Sequence, residues 1–305
     1  MTHHKEKWRT GGLHNLGNTC YMNAVLQALC HTPRFLKRVL TTVPEDRSAI
    51  ASHLHDIAME TWFHARDVAP HALLKCLSER IPQMALRCQN DAQEFLVYLL
   101  DGLHAEAAVP AARLPSPPPW WYQPPLSSRF SYVIDMFYGK LETRIRCRSC
   151  GRDAVLGELF STLAVQASSS IEESVRRAIE SSDPIERREC DFCGRACPGT
   201  RETSLARAPK VLVLCVGPGA SSASHAYKFR SLADKPLLGV YKLCGIVCHQ
   251  GSAQTGHYFA ICRKPDDGWQ VIDDACVARV DPADDPLVKP YLLVYDAKKV
   301  AQKRT

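Results

Sequence analysis

The period of the apolar residues changes partway along this chain, and that change limits the folds open to it. From Asn18 onward Met22, Val25, Leu26 and Leu29 fall at i, i+3, i+4 and i+7, the spacing of one helix face. A second helix is expected from about Asp91 to His104, with Phe95, Leu96, Leu99, Leu100 and Leu103 on one side and Asp91-x-x-Glu94 at its start. The sequence between them, from about Ser48 to Arg80, reads as mostly helical. After Phe130 the runs shorten to strand length: Lys140 to Cys147, Lys210 to Val216, Lys242 to Cys248, His257 to Arg263, Trp269 to Ile272 and Tyr291 to Tyr295. Helices come first and a sheet follows. The stretch from Ala105 to Pro125, rich in Ala and Pro, cannot continue a helix and reads as an extended linker, and Gly217 to Ala223 reads as a flexible loop.

At 305 residues the chain is long enough to bury a substantial core, as one large domain or two small ones. With 46% hydrophobic and 23% charged residues it reads as folded and soluble rather than disordered. Met1 to Thr10 is polar, and the longest apolar run, Val211 to Val216, is too short to span a bilayer, so neither a secretory signal nor a membrane helix is expected. Without a route to an oxidising compartment the 14 cysteines read as thiols, metal ligands or a nucleophile rather than as disulfides, which points to the cytoplasm or nucleus. The net charge of +6 is spread over scattered basic residues, so no nucleic-acid partner is expected.

One cysteine stands where a reactive thiol belongs. Gly11 to Asn23 places Cys20 at the start of a helix after a turn-rich approach, where unpaired N–H groups and the helix dipole favour a thiolate. An arbitrary cysteine is more often a small buried hydrophobe. A thiol nucleophile needs a base, and Gly256-His257-Tyr258 opens a strand far downstream; taken alone, any of the 12 histidines is a weak candidate. Trp269-Gln270-Val271-Ile272-Asp273-Asp274 is a strand ending in two carboxylates that can orient an imidazole and fix its tautomer, or can be a solvated strand end.

Two C-x-x-C pairs, Cys147-Arg148-Ser149-Cys150 and Cys190-Asp191-Phe192-Cys193, each followed by Gly, lie in strand-like sequence. Four thiolates match a closed, structural zinc site with no position left for an activated water. Cys197 is a spare thiol nearby and is not counted as a ligand.

In order and spacing these segments resemble the signature boxes of the ubiquitin-specific protease family: Gly11 to Gln27 its cysteine box, Gln89 to Leu96 its acidic box, and Tyr241 to Cys248, His249 to Gly251, Gly256 to Tyr258 and Trp269 to Asp274 its histidine box, with Pro290 to Tyr295 as the closing strand. The resemblance implies an α+β papain-like cysteine protease core, with a helical thumb (about 11–104), a Pro-rich linker (105–127), zinc-binding β fingers (about 130–215) and a β palm (about 225–297), in a single catalytic domain. It implies Cys20 as nucleophile, His257 as general base and acid and Asp273 as its orienting partner. Asn15 would stabilise the oxyanion together with the Cys20 N–H, each donor contributing about 3 kcal/mol, with Asp274 assisting. It further implies that Asp91 and Glu94 bind the basic tail of ubiquitin and that His249 lies by the tail groove, although Asp91 and Glu94 also fit a helix capping box and His249 a structural imidazole.

The expected activity is that of a deubiquitinase: thiol-dependent hydrolysis, through a thioester, of isopeptide or peptide bonds at the C-terminal glycine of ubiquitin. The expected state is a monomer holding structural zinc and no organic cofactor, with ubiquitin and ubiquitinated proteins as partners and no membrane association. Two rivals are a ubiquitin-binding scaffold without turnover and an enzyme for a ubiquitin-like modifier. Two departures from the family pattern, the strand ending Cys215-Val216-Gly217-Pro218 and the short loop that follows it, bear on fine substrate contacts rather than on the chemistry.

Overall fold

A computed structural model of the protein describes residues 10–42, 45–80, 89–110, 113–114, 129–217, 226–233, 236–251, 255–284 and 287–298. The first part is helical: α1 (Cys20–Cys30), α2 (Pro33–Thr41), α3 (Ile50–Ala58) continued by one π-helical turn at Met59–Phe63, α4 (His71–Arg80) and α5 (Ala92–Ala107). A small two-stranded ladder of β1 (Val109–Pro110) and β2 (Arg129–Phe130) leads to α6 (Tyr132–Phe137). Next come β3 (Gly139–Cys147), β4 (Asp153–Phe160), β5 (Leu163–Gln166), α7 (Ile171–Ile179), β6 (Ser181–Glu189), β7 (Ala196–Arg207) and β8 (Val211–Gly217). The chain ends with β9 (Tyr227–Lys228), α8 (Phe229–Ala233), β10 (Tyr241–Gly251), β11 (Gly256–Arg263), β12 (Trp269–Asp273), β13 (Cys276–Val280), β14 (Leu287–Val288) and β15 (Pro290–Ala297).

Seven strands form the main sheet in the order β13-β12-β11-β10-β15-β8-β5, antiparallel except for the parallel β5–β8 edge. The inner strands β8, β10, β11 and β15 are apolar at consecutive positions because both faces are covered. Along β8, Val211, Val213 and Cys215 join the core under the first six helices, while Leu212, Leu214 and Val216 join a second core under α7 and α8. Helix α1, buried at every residue, lies on the first face against β10 and β11. It approaches so closely that a Cβ on Gly245 would stand 2.8 Å from the Ala28 Cβ, which explains a glycine in mid-strand.

The second sheet, β4-β3-β7-β6, is antiparallel and far more exposed. It carries both C-x-x-C pairs where strands β3 and β6 end. Helix α5 runs through Ala107, past the His104 expected from the sequence, because Ala105, Glu106 and Ala107 favour helix and the first proline comes at Pro110. The expected linker otherwise falls largely on 111–112 and 115–128, and the expected loop after Gly217 on 218–225, which lie outside the described residues. Among the described residues no helix is long and apolar enough to cross a membrane.

Candidate active site

Cys20 is the first residue of α1 and is 5% exposed. The turn that delivers it uses left-handed backbone at Gly17 (φ +94°) and Asn18 (φ +58°), conformations that glycine and asparagine tolerate best. The Asn15 side chain holds the turn: its Oδ1 accepts from the N–H groups of Gly17 (3.0 Å) and Thr19 (3.1 Å) and from the Thr19 hydroxyl (3.3 Å). With Oδ1 so committed, the amide nitrogen points outward and donates to Asp274 Oδ2 at 2.9 Å.

Burial has the largest effect on the Cys20 thiol and raises its pKa above the ordinary value, and the charge of Asp274 adds to the rise. The N–H groups of Tyr258, Tyr21 and Cys20 act the other way and lose. A helix N-terminus alone therefore does not hold this thiol ionised, contrary to the sequence expectation, because desolvation outweighs the backbone donors. The Tyr258 N–H that reaches Cys20 belongs to the residue after His257.

His257, near the head of β11, has its Nε2 2.5 Å from Asp273 Oδ1 at the end of β12. An Nε2–H donated to Asp273 leaves Nδ1 as the basic nitrogen. Asp274 adopts left-handed backbone (φ +52°) in the turn after β12, and one of its carboxylate oxygens still lies within 4.8 Å of the Asp273 carboxylate and of a His257 ring nitrogen. Its Oδ2 accepts from Asn15 and its Oδ1 from Asn23 Nδ2 at 2.7 Å. Asn23 Nδ2 also reaches the carbonyl oxygens of Leu13 (3.1 Å) and His14 (3.3 Å).

Asn23 opens a buried polar row on α1 with Gln27 and His31, at 2%, 3% and 3% exposure. Gln27 donates to the Gly11 carbonyl at 3.1 Å, so two side-chain amides of one helix satisfy the extended backbone of residues 11–14. His31 Nδ1 meets the Gln27 carbonyl at 2.7 Å and so carries the proton, leaving Nε2 to accept from Gln270 at 2.8 Å. Full burial drives the His31 pKa down to about 4.

Asp91 caps α5, its Oδ1 accepting from the N–H groups of Gln93 (2.7 Å) and Glu94 (3.0 Å), and its Oδ2 accepts from the Tyr291 hydroxyl. Glu94 is exposed and accepts from the Tyr98 hydroxyl at 3.2 Å. His249 stacks on Tyr258 (4.5 Å between ring centroids) beside Tyr291, and burial lowers its pKa despite the opposing charge of Asp91. Gln89 Oε1 accepts from Gly256 N at 3.1 Å, tying the approach to α5 to the residue before His257.

Remote from these groups, at the tip of the four-stranded sheet, the thiols of Cys147, Cys150, Cys190 and Cys193 all lie within 4.8 Å of one another. The two pairs form matching turns. Gly151 N donates to Cys147 O (2.9 Å) and Gly194 N to Cys190 O (2.8 Å), with both glycines at positive φ. Four thiolates 2.3 Å from a tetrahedral zinc lie about 3.8 Å apart. The separations Cys150–Cys190 (3.8 Å) and Cys147–Cys193 (4.0 Å) fit that figure. This cluster can hold a metal ion.

Sequence reasoning did not single out Asn23, Tyr258 or Tyr291. For Asn23 a signal existed, since an amide on the buried face of an apolar helix is costly unless bonded. The tyrosines gave none, because their partner Asp91 is remote in sequence.

A thiol at a helix head, on a sheet whose adjoining strands supply a histidine and a carboxylate, is the architecture of papain-like thiol hydrolases. The model of one family, ubiquitin carboxyl-terminal hydrolase, matches residues 11–295, and the chain belongs to that family. It is 28% identical over 330 residues to ubiquitin carboxyl-terminal hydrolase 2 of Rattus norvegicus, covering 93% of this chain and 53% of the relative. It is also 28% identical over 357 residues to ubiquitin carboxyl-terminal hydrolase 21 of Rattus norvegicus, covering 97% of this chain and 63% of that one. The chain thus spans between about half and two thirds of the length of these relatives. In fold it resembles the SAGA Ubp8/Sgf11/Sus1/Sgf73 DUB module bound to ubiquitin aldehyde, with a TM-score of 0.73 and 20% identity over 98% of this chain and 72% of that one.

Proposed function

We propose that this protein is a deubiquitinase that hydrolyses the isopeptide or peptide bond after the C-terminal glycine of ubiquitin. The observation that carries the reading is the convergence of Cys20, the His257–Asp273 pair and the Asn15–Asp274 pair from opposite ends of a chain of this family. Ubiquitin as substrate is supported by the family and by the ubiquitin-bound state of the structural neighbour.

In this mechanism His257 Nδ1 takes the Cys20 proton as the sulfur attacks the glycine carbonyl carbon. Negative charge developing on the carbonyl oxygen meets the Asn15 amide and the Cys20 N–H. The C–N bond breaks as His257 protonates the leaving amine. Water, deprotonated by His257, then attacks the thioester, the C–S bond breaks, and the sulfur recovers its proton. Asp273 holds the imidazole tautomer, and Asp274 holds Asn15.

Glu94, exposed at the start of α5, is suited to meet the arginine-containing ubiquitin tail, with Asp91 anchoring the helix start and His249 beside the groove. Cys147, Cys150, Cys190 and Cys193 are suited to one zinc ion, which would fix the tip of the fingers and supply no chemistry to the cleavage. We assign the fingers to the four-stranded sheet and the palm to the seven-stranded one, which also takes β5 and β8 from within the expected finger bounds of about 130–215. We place the protein in the cytoplasm or nucleus on its thiol-rich composition, and take it to act as a monomer.

Ubiquitin bearing a C-terminal thiol-reactive group tests the assignment. It should label Cys20 alone, whereas Cys20→Ala should abolish labelling and keep ubiquitin binding. Undiminished labelling of Cys20→Ala, or preferential labelling of the wild type by a ubiquitin-like protein carrying the same group, would overturn the reading.

A further inference from the structure

Five thiols, not four, crowd the tip of the four-stranded sheet. Cys197, the second residue of β7, brings its Sγ to 3.2 Å from the Sγ of Cys147. Thiolates sharing one tetrahedral zinc stand about 3.8 Å apart. Cys147 and Cys197 are too close to be co-ligands, whereas Cys150–Cys190 at 3.8 Å and Cys147–Cys193 at 4.0 Å are not. Cys197 is a thiol held against a ligand.

The backbone suits a bond between them. Cys147 ends β3 opposite Gly199 of β7, two residues from Cys197, and the Arg148 N–H donates to the Pro198 carbonyl at 3.2 Å. The two strands are joined immediately beside the thiol pair, and the sulfurs, 3.2 Å apart, would have to close to about 2.05 Å to bond. Cys197 is half-buried and open to small solutes, while Cys147 is buried beneath it.

We propose that Cys147 and Cys197 are a peroxide-sensitive pair whose disulfide releases the metal from the fingers. Only the metal-release half rests on the zinc reading. The Cys197 sulfur attacks one oxygen of a hydroperoxide; the O–O bond breaks, giving a sulfenic acid and hydroxide, which takes the Cys197 proton and leaves as water. The Cys147 sulfur then attacks the sulfenic sulfur, the S–O bond breaks, and the departing hydroxide takes a proton from solvent to leave as a second water. Two sulfurs lose two electrons and one peroxide gains them. With Cys147 in a disulfide the ion keeps three of its four thiolates and is lost to a chelator. A thiol reductant and added zinc reverse the change.

The test treats the full chain with hydrogen peroxide, blocks remaining thiols, and combines non-reducing peptide mapping with colorimetric zinc release. The expected result is a Cys147–Cys197 linked peptide that appears together with released zinc. Cys197→Ser should bind zinc as the wild type does before oxidation, form no linked peptide, and release zinc at a rate about fivefold lower, since it lacks the thiol that peroxide reaches first. Loss of zinc from untreated Cys197→Ser would make Cys197 a ligand and overturn the proposal. So would oxidised wild type in which Cys147 pairs only with Cys150, Cys190 or Cys193. Untreated wild type without zinc that still forms the Cys147–Cys197 link would sink the zinc reading and support the pairing.

Discussion

Asn23 donates to Asp274 across 2.7 Å, from the second turn of the helix that Cys20 begins to the turn that follows β12. Through that bond, and the 2.9 Å bond from Asn15 Nδ2 to the same carboxylate, a buried helix residue sets the orientation of an exposed amide. Asp273 and Asp274, adjacent in sequence, thereby serve different partners.

Removing Asp274 should therefore damage transition-state stabilisation more than substrate binding. We expect Asp274→Ala to lower kcat about 10- to 100-fold, short of the loss of a whole oxyanion donor, with KM changed little. Asn23→Ala should follow the same pattern more weakly, with some loss of stability because the Leu13 and His14 carbonyls lose their donor. Steady-state kinetics on a ubiquitin amide checks both; a KM effect with unchanged kcat would assign the pair to substrate binding.

Asp273→Asn should be more severe, with kcat down roughly 100- to 1,000-fold. An amide at that position can donate to His257 Nε2 and select the tautomer whose Nδ1 carries hydrogen and cannot accept the Cys20 proton. The pair is about half exposed, which tempers the loss relative to a buried triad. Asp274→Ala proving the more damaging by a wide margin would reverse the two roles.

Burial raises the Cys20 pKa above the usual thiol value, which favours the un-ionised thiol in the free protein. Alkylation of Cys20 by iodoacetamide, followed by peptide mapping, should rise steadily with pH into the alkaline range. A rate already at its plateau near neutrality would reveal a preformed thiolate–imidazolium pair.

His31 makes stability depend on pH. Its folded pKa of about 4 lies below the unfolded value near 6.5, so the unfolded chain takes up the proton first as pH falls. The stabilisation from neutral His31 is whole above about pH 6.5 and is lost progressively as pH falls toward 4, to about 3 kcal/mol. Protonation would put an Nε2–H against the Gln270 amide that now donates to it. Urea unfolding between pH 8 and pH 4.5 should show this slope, and His31→Gln should flatten it. A slope unchanged in the variant would assign the acid sensitivity to other groups.

Cys190→Ser should lower zinc content and thermal stability and weaken ubiquitin capture, because a bound metal would join two turns at the end of a largely exposed sheet. Reaction of Cys20 with a small alkylating agent should be unaffected. Elemental analysis of folded, active protein gives the direct check, and absence of stoichiometric zinc would reduce the cluster to packed thiols.

Local order fixed much of this molecule. The 3.6-residue spacing of Met22, Val25, Leu26 and Leu29 specifies α1, and the short apolar runs after Phe130 specify the sheet strands. The paired C-x-x-C turns are equally local, since each knuckle is built by hydrogen bonds within a few residues. What sequence could not contain is burial and the direction of side chains across long separations. The Cys20 pKa depends on how much water the sheet excludes, and burial overrode the helix-terminus argument. The division of labour between Asp273 and Asp274 follows from the separate partners, His257 and Asn15, that the fold brings to them. The contact of Cys197 with Cys147 follows from the register of β3 against β7, and Asn23 acquires its role only because residues 11–15 fold back along α1 beside the end of β12. Periodicity and turn chemistry act over a few residues and can be read from the chain, whereas desolvation and strand register are set by segments that meet only when the whole core forms.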